Sequence, residues 1–246
     1  MHKYLIWDFD GTLGYREGGW TGAMVEVLHQ HAPECSATAD HLRPHIQDGF
    51  RWHDPHQPYE IKTAEQWWDE LSPIFEKAFA AVGVEASLAK RMGREVRFAY
   101  AGAKQWRLYD DTTPALTQLS RAGWTHLLLS NHVPELSKIL DHLQINTFFA
   151  QVFNSAETGY EKPHPMAYQA ALEATEEAES VWMIGDSVVA DIAGAAAAGI
   201  PGILVCKHHA DAIYHCDALS QVNQILERES QPKIAEVSIG QRTGWQ

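Results

Sequence analysis

A chain of 246 residues with 32 Asp and Glu against 19 Lys and Arg carries a formal charge of −13, which argues against a protein that grips a nucleic-acid backbone through clustered basic residues. A hydrophobic fraction of 45% beside 21% charged residues fits an ordinary globular protein, long enough for one large domain or for a core with a second domain inserted. Its three cysteines, Cys35, Cys206 and Cys216, form no close pair, and no stretch reaches the roughly 18 to 20 apolar residues of a membrane span. The first residues lack the basic start, apolar run and small-residue site of a secretory signal. These features set the expectation of a cytoplasmic protein with neither membrane nor nucleic-acid partners.

The first element is an apolar strand, Lys3 to Trp7, that ends in Asp8-Phe9-Asp10-Gly11-Thr12-Leu13. Two carboxylates at the end of a buried strand are costly unless something pairs with them. A Gly-rich bend, Gly14 to Gly19, leads into a long span with apolar residues spaced three and four apart, as in Met24, Val27 and Leu28 and again in Trp67, Leu71, Ile74, Phe75 and Phe79. This span, residues 17–101, reads as an all-helical domain inserted into a core made of residues 1–16 and 102–246. Within it Gly49 to Pro58 is irregular, because one glycine and two prolines forbid a regular helix.

From there helices and strands alternate. A helix from Thr113 to Ala122 stops at Gly123, a left-handed cap, and the apolar strand Thr125 to Leu129 follows. A helix over Pro134 to Leu143 precedes a short strand, Gln151 to Phe153. Next come a helix over Pro165 to Ala174, the strand Val181 to Ile184, an Ala-rich helix over Val189 to Ala198, the strand Ile203 to Val205 and a last helix over Ala218 to Glu227. Apolar strands bounded by helices predict an α/β fold, a doubly wound parallel sheet whose ligands sit at the carboxyl ends of the strands. What each strand ends in is therefore informative. The first delivers Asp8 and Asp10, the second Ser130-Asn131, the third leads to Lys162-Pro163, and the fourth delivers Gly185-Asp186-Ser187 with Asp191 five residues beyond Asp186.

Several carboxylates beside one lysine repel an anionic substrate unless a cation sits among them, and an all-oxygen donor set selects a hard ion such as Mg2+. Asp8 and Asp186 are the natural ligands, with the main-chain carbonyl of Asp10 a third. Asp8 is placed to attack phosphorus and Asp10 to protonate the leaving alcohol and then to activate water. Ser130, Asn131 and Lys162, together with the turn at Gly11 and Thr12, are placed to hold phosphate oxygens, and Asp191 to orient Lys162 or a metal-bound water.

These four segments resemble the motifs of the haloacid dehalogenase-like superfamily, most closely its helical-capped phosphatases. Asp8 to Leu13 is similar to the first motif, Ser130-Asn131 to the second, Lys162-Pro163 to the third and Gly185 to Asp191 to the fourth. The resemblance covers about residues 1–12 and 103–226 and implies a Rossmann-like core, a cap inserted after the first motif, and Mg2+-dependent hydrolysis of a small phosphorylated metabolite through an aspartyl-phosphate. Many capped members carry an acidic residue and a serine soon after the first motif, where this chain has Gly14-Tyr15-Arg16. Members that cleave carbon–halogen bonds generally lack an acid at the position of Asp10, so its presence favours phosphate esters. A phosphomutase, a dehalogenase and a non-catalytic binding protein remain the alternatives on the same core.

Arg51, Trp52 and His53 are the candidates for substrate recognition by the cap. Trp67 and Trp68 read as core. His208, His209, His215 and Cys216 lack zinc-type spacing and read as a solvated loop after the last core strand. The tail from Ser230 to Gln246 is polar and carries no signal.

Overall fold

The computed structural model describes residues 2–60 and 63–230. In chain order it contains β1 (Lys3–Trp7), β2 (Gly14–Arg16), α1 (Gly19–His31), α2 (Ala39–Leu42), α3 (Ala64–Ala81) and α4 (Ala86–Tyr100). The second half runs through β3 (Trp106–Leu108), α5 (Thr112–Arg121), β4 (Trp124–Ser130), α6 (Leu136–His142), β5 (Phe149–Asn154), α7 (Ser155–Thr158) and α8 (Pro165–Glu173). It ends with β6 (Ser180–Gly185), a π-helical turn over Val188–Ala193, α9 (Gly194–Ala197), β7 (Gly202–Val205), β8 (Tyr214–Cys216) and α10 (Val222–Ser230). The polar segment beyond Ser230 lies outside the described residues.

Six strands form one parallel sheet in the order β5-β4-β1-β6-β7-β8. The chain builds outward from β1 through β4 to β5, then returns to the other side of β1 and builds outward again through β6, β7 and β8. The reversal between β4 and β6 places the topological switch at the end of β1, where a doubly wound sheet opens a crevice. Register makes this concrete. Trp7, the last residue of β1, pairs with Leu128 on one side and Ile184 on the other, so Asp8, Ser130 and Asp186 leave the same sheet edge.

Side chains alternate across the sheet as the two-residue period of a strand requires. Leu5, Trp7, Leu128 and Ile184 join one core, which continues without a break into Met24, Leu28, Trp67, Phe75, Phe79 and Met92 of the helical span. Ile6, Leu127, Leu129 and Met183 face the opposite core, packed on Ala167, Tyr168 and Ala195. Both faces are covered, which is why these strands read as continuous apolar runs.

The predicted helices and strands form, and the structure adds to them the short helix α7 and departs from the reading at several further points. Gly14 to Arg16, read as part of a bend, is strand β2, and it pairs antiparallel with β3, which the sequence reading left out. Together they make a two-stranded ribbon at the base of the helical span. Residues 214–216, read as loop, form the edge strand β8, with Ile203 opposite Tyr214. The Ala-rich helix opens as a π turn, and the last helix opens with a 3-10 turn over Leu219–Gln221. Gly123 takes the left-handed conformation predicted for it, at φ 85°. Among the described residues no helix is long and apolar enough to cross a membrane.

Candidate active site

Asp8 leaves β1 buried, and its carboxylate is gripped by Ser130 at the end of β4 and by Lys162 in the loop after α7. Ser130, the last residue of β4, donates its hydroxyl to Asp8 Oδ1 at 2.8 Å. Lys162 Nζ donates to the same oxygen at 2.9 Å and to Asp191 Oδ1 at 2.6 Å. Asp191 is fixed in turn by the Ser187 amide, which donates to its Oδ2 at 2.9 Å. Lys162 is 2% exposed, and so deep a cation persists only because it is paired. Burial opposes its charge, and the carboxylates of Asp191 and Asp8 more than reverse that, raising its pKa.

The Asn131 side chain is engaged with the main chain of Lys162. Its Nδ2 donates to the Lys162 carbonyl at 2.9 Å and its Oδ1 accepts from the Lys162 amide at 2.7 Å. The side chain therefore clamps the main chain that carries the lysine. The turn residues are also engaged locally: the Gly11 amide donates to Gly14 O at 2.9 Å and the Thr12 amide to Phe9 O at 3.2 Å. Gly11 is needed for another reason. It sits at φ 86°, and a Cβ there would lie 2.7 Å from Asp186 Oδ2. Thr12 is fully buried, with its hydroxyl 3.4 Å from Asp8 Oδ2.

Ligand oxygens of Asp8, Asp186 and Asp191 can be chosen that all lie within 4.8 Å of one another. Such a cluster concentrates negative charge: burial, then the charge of Asp8, raises the Asp186 carboxyl, while Lys207 works the other way. Lys207 Nζ donates to Asp186 Oδ2 at 2.6 Å and to its carbonyl at 3.0 Å, a contact the sequence did not suggest. Asp10 stands apart from the cluster, open to the cavity yet enclosed by protein. Burial, then the charges of Asp8 and Asp186, push its carboxyl up to about 7, with the Tyr100 hydroxyl donating to Oδ2 at 3.5 Å.

A cavity of about 440 Å³ opens above these groups. Asp8, Asp10, Lys162, Asp186 and Asp191 line its floor, and Trp20, Trp52, Pro55, Tyr100, His132 and Val133 are among its walls. Of the three cap candidates only Trp52 reaches it. Arg51 is ion-paired with Glu70 and lies 3.6 Å over the Tyr59 ring, and it lines a neighbouring recess together with the exposed His53. Trp20 and Tyr100, which stack at 3.5 Å, were not singled out from the sequence, and neither was His132. The aromatic spacing of the helical span was the available signal for the first two; His132, next to Asn131, was the signal for itself. His208 pairs with Asp217 at 2.6 Å and packs on His215 away from this cavity.

Fold and site together define a doubly wound α/β protein with a paired lysine and an acidic cluster at its switch point. The chain belongs to the haloacid dehalogenase-like hydrolase family, whose family model matches residues 2–199. It is 32% identical over 136 residues to a phosphoserine phosphatase of Thermus thermophilus, an alignment covering 54% of this chain and 55% of that protein. It is 31% identical over 129 residues to a glyceraldehyde 3-phosphate phosphatase of Pyrococcus furiosus, covering 47% of this chain and 52% of the other. The chain thus spans about half the length of the curated relatives it matches. Among solved structures, the HAD-type protein YfnB of Bacillus subtilis, crystallised with magnesium bound, superposes with a TM-score of 0.72 at 20% identity, over 92% of this chain and 98% of that one. A 2-haloacid dehalogenase from Pseudomonas syringae superposes at 0.65 with 21% identity, over 94% of this chain and all of the other. At these identities the structures speak for the shared fold.

Proposed function

We propose that this chain is a Mg2+-dependent phosphomonoesterase that works in the cytoplasm on a small phosphorylated metabolite, through a phosphoenzyme on Asp8. The observation that carries the reading is the convergence of Ser130 and Lys162 on one oxygen of Asp8, within 2.9 Å. Two donors this close to the nucleophile are in reach of the non-bridging oxygens of a phosphoryl group brought to it, and such preorganised donors are the main resource in phosphoryl transfer. The phosphatase relatives support the reaction class.

The donor chemistry fits a hard cation. Asp191 is committed to Lys162 and to the Ser187 amide, which leaves Asp8 and Asp186, with the Asp10 carbonyl, to hold Mg2+. The Lys207 ammonium on Asp186 shows that this carboxylate takes a positive partner. When bound, the ion neutralises phosphate charge and brings it to Asp8.

The protein's own groups do the rest. An oxygen of Asp8 bonds to phosphorus as the ester bond breaks, and Asp10 gives its proton to the departing alkoxide. Asp10, now a carboxylate, takes a proton from a water whose oxygen attacks the phosphoryl group, and inorganic phosphate leaves with Asp8 restored. A carboxyl facing the cavity beside the nucleophile suits both halves. Residues 1–16 and 102–246 form the catalytic core in this reading and residues 17–101 a cap, supported by the helices between β2 and β3 and by the ribbon those strands make.

Phosphate release from a panel of esters with Mg2+ tests the proposal. Asp8→Asn is expected to abolish it while leaving the thermal transition in place; retained turnover in that variant refutes the phosphoenzyme. Formation of an isomer without inorganic phosphate assigns the chain to the mutases instead.

A further inference from the structure

The walls of the cavity speak to the alcohol that leaves. Above the acidic floor the surface is aromatic. Trp20 stacks on Tyr100 with an interplanar angle of 6°, Trp52 lies 6.0 Å from Trp20, and Phe50 supports Trp52 from behind at 4.5 Å. Pro55 and Val133 extend the apolar surface, and the exposed Val189 stands among the residues that line the cavity. A volume of about 440 Å³ is within the range that encloses a whole ligand with a ring, and is generous for a phosphoryl group with two or three carbons.

Charge narrows the choice further. Lys162 is the one cation among the described residues that line the cavity, and both its contacts are carboxylates. Arg51, which would be the natural partner for a second anionic group, is held by Glu70 and the Tyr59 ring outside it. A carboxylate on the leaving group would therefore be desolvated beside Asp10 with no counter-charge.

His132 is 4% exposed, and its ring is packed 4.9 Å from Trp106 and 5.4 Å from Phe9. Both ring nitrogens are closed off by that packing, so His132 gives the wall shape and not hydrogen bonds.

Resting on the phosphatase reading, we infer that the cavity takes phosphate monoesters of uncharged alcohols that bear a planar ring, with Trp52 against the ring. The relatives that act on phosphoserine and glyceraldehyde 3-phosphate do not carry this inference; the walls of this chain do.

Steady-state kinetics with Mg2+ on five esters test it: benzyl phosphate, uridine 5′-monophosphate, ethyl phosphate, phosphoserine and phosphoglycolate. Both ring esters should exceed ethyl phosphate in kcat/KM by about tenfold, the size of one aromatic stacking contact. Phosphoserine and phosphoglycolate should fall below ethyl phosphate. Trp52→Ala should erase most of the benzyl-to-ethyl ratio through KM. Ratios within the variant cancel any general damage, and the wild-type panel decides alone should the variant fail to fold. Equal use of benzyl and ethyl phosphate, or preference for an acid ester, overturns the inference while the phosphatase reading stands. No hydrolysis of any ester removes both.

Discussion

Arg16 ends the stretch Gly14-Tyr15-Arg16 that follows the first strand's acidic end, and the structure gives it a heavy duty. Its side chain is 1% exposed, and its guanidinium joins four groups across the base of the helical span. Nη1 donates to Glu17 O at 2.9 Å and Gly19 O at 3.0 Å; Nη2 donates to Glu26 Oε1 at 2.7 Å and Ala99 O at 3.2 Å. The residue thus ties β2 to the start of α1 and to the last turn of α4, the helices that carry Trp20 and Tyr100 into the cavity. Arg16→Met keeps the stem and deletes the fork. Breaking one side of a buried pair costs about 3–5 kcal/mol, and the lower end applies because Glu26, 44% exposed, regains water. A loss of about 3 kcal/mol corresponds to a fall in Tm of about 6–12 °C for a chain of this size. Thermal and urea unfolding measure it, and kinetics on a ring ester should show KM rising more than kcat falls, because the walls loosen while the floor keeps its contacts. A fall of less than about 2 °C with an unchanged KM would refute the view that Arg16 clamps the helical span to the core.

The ends of the central strands were legible because a parallel sheet covered on both faces forces apolar runs, such as Leu127 to Leu129, and then releases the chain at one edge. Any polar residue at such a release point stands out, and Asp8, Ser130 and Asp186 did. What was not legible depended on partners far along the chain. Strands β2 and β3 are three residues each, and Gly14 meets Leu108 only because the helical span returns there. Edge strand β8 has one buried residue in three, too little pattern to set it apart from a loop. At the site, residue types announced chemistry but not their engagements. Asn131 clamps the Lys162 backbone, Arg51 is taken by Glu70, and Lys207 sits on Asp186 from 21 residues away. Trp52 and His53 are adjacent in sequence, yet only the tryptophan lines the cavity, because the 3-10 turn over Arg51–His53 separates neighbouring side chains.

Other consequences are open to direct measurement. Lys207→Ala removes the ammonium from Asp186, and calorimetric titration of the free protein should show Mg2+ binding tightened up to about fivefold, the worth of one half-exposed ion pair; weaker binding would mean that Lys207 helps to build the site instead. Gly185→Ala would put a methyl 2.2 Å from the Asp191 side chain, which must move and take Lys162 with it. Hydrolysis should drop about 100-fold with the sheet intact by circular dichroism, and near-normal activity would show that Lys162 does not depend on Asp191. The last prediction concerns stability at mild acid. His126 is buried in β4 with its Nδ1 accepting from Trp7 Nε1 at 2.9 Å, which fixes that nitrogen unprotonated, while Nε2 lies 3.2 Å from the Leu116 carbonyl. Burial pushes its pKa down to about 4 from an ordinary 6.5. The unfolded chain therefore takes up the proton first as pH falls below about 6.5, so stability declines from there and levels off below about 4. Between about pH 8 and pH 5 the share due to His126 is about 2 kcal/mol. The difference in urea-unfolding free energy between wild type and His126→Gln isolates that share from the carboxylates: the wild type should lose more stability on acidification, and parallel pH profiles would refute the neutral, Trp7-bonded imidazole.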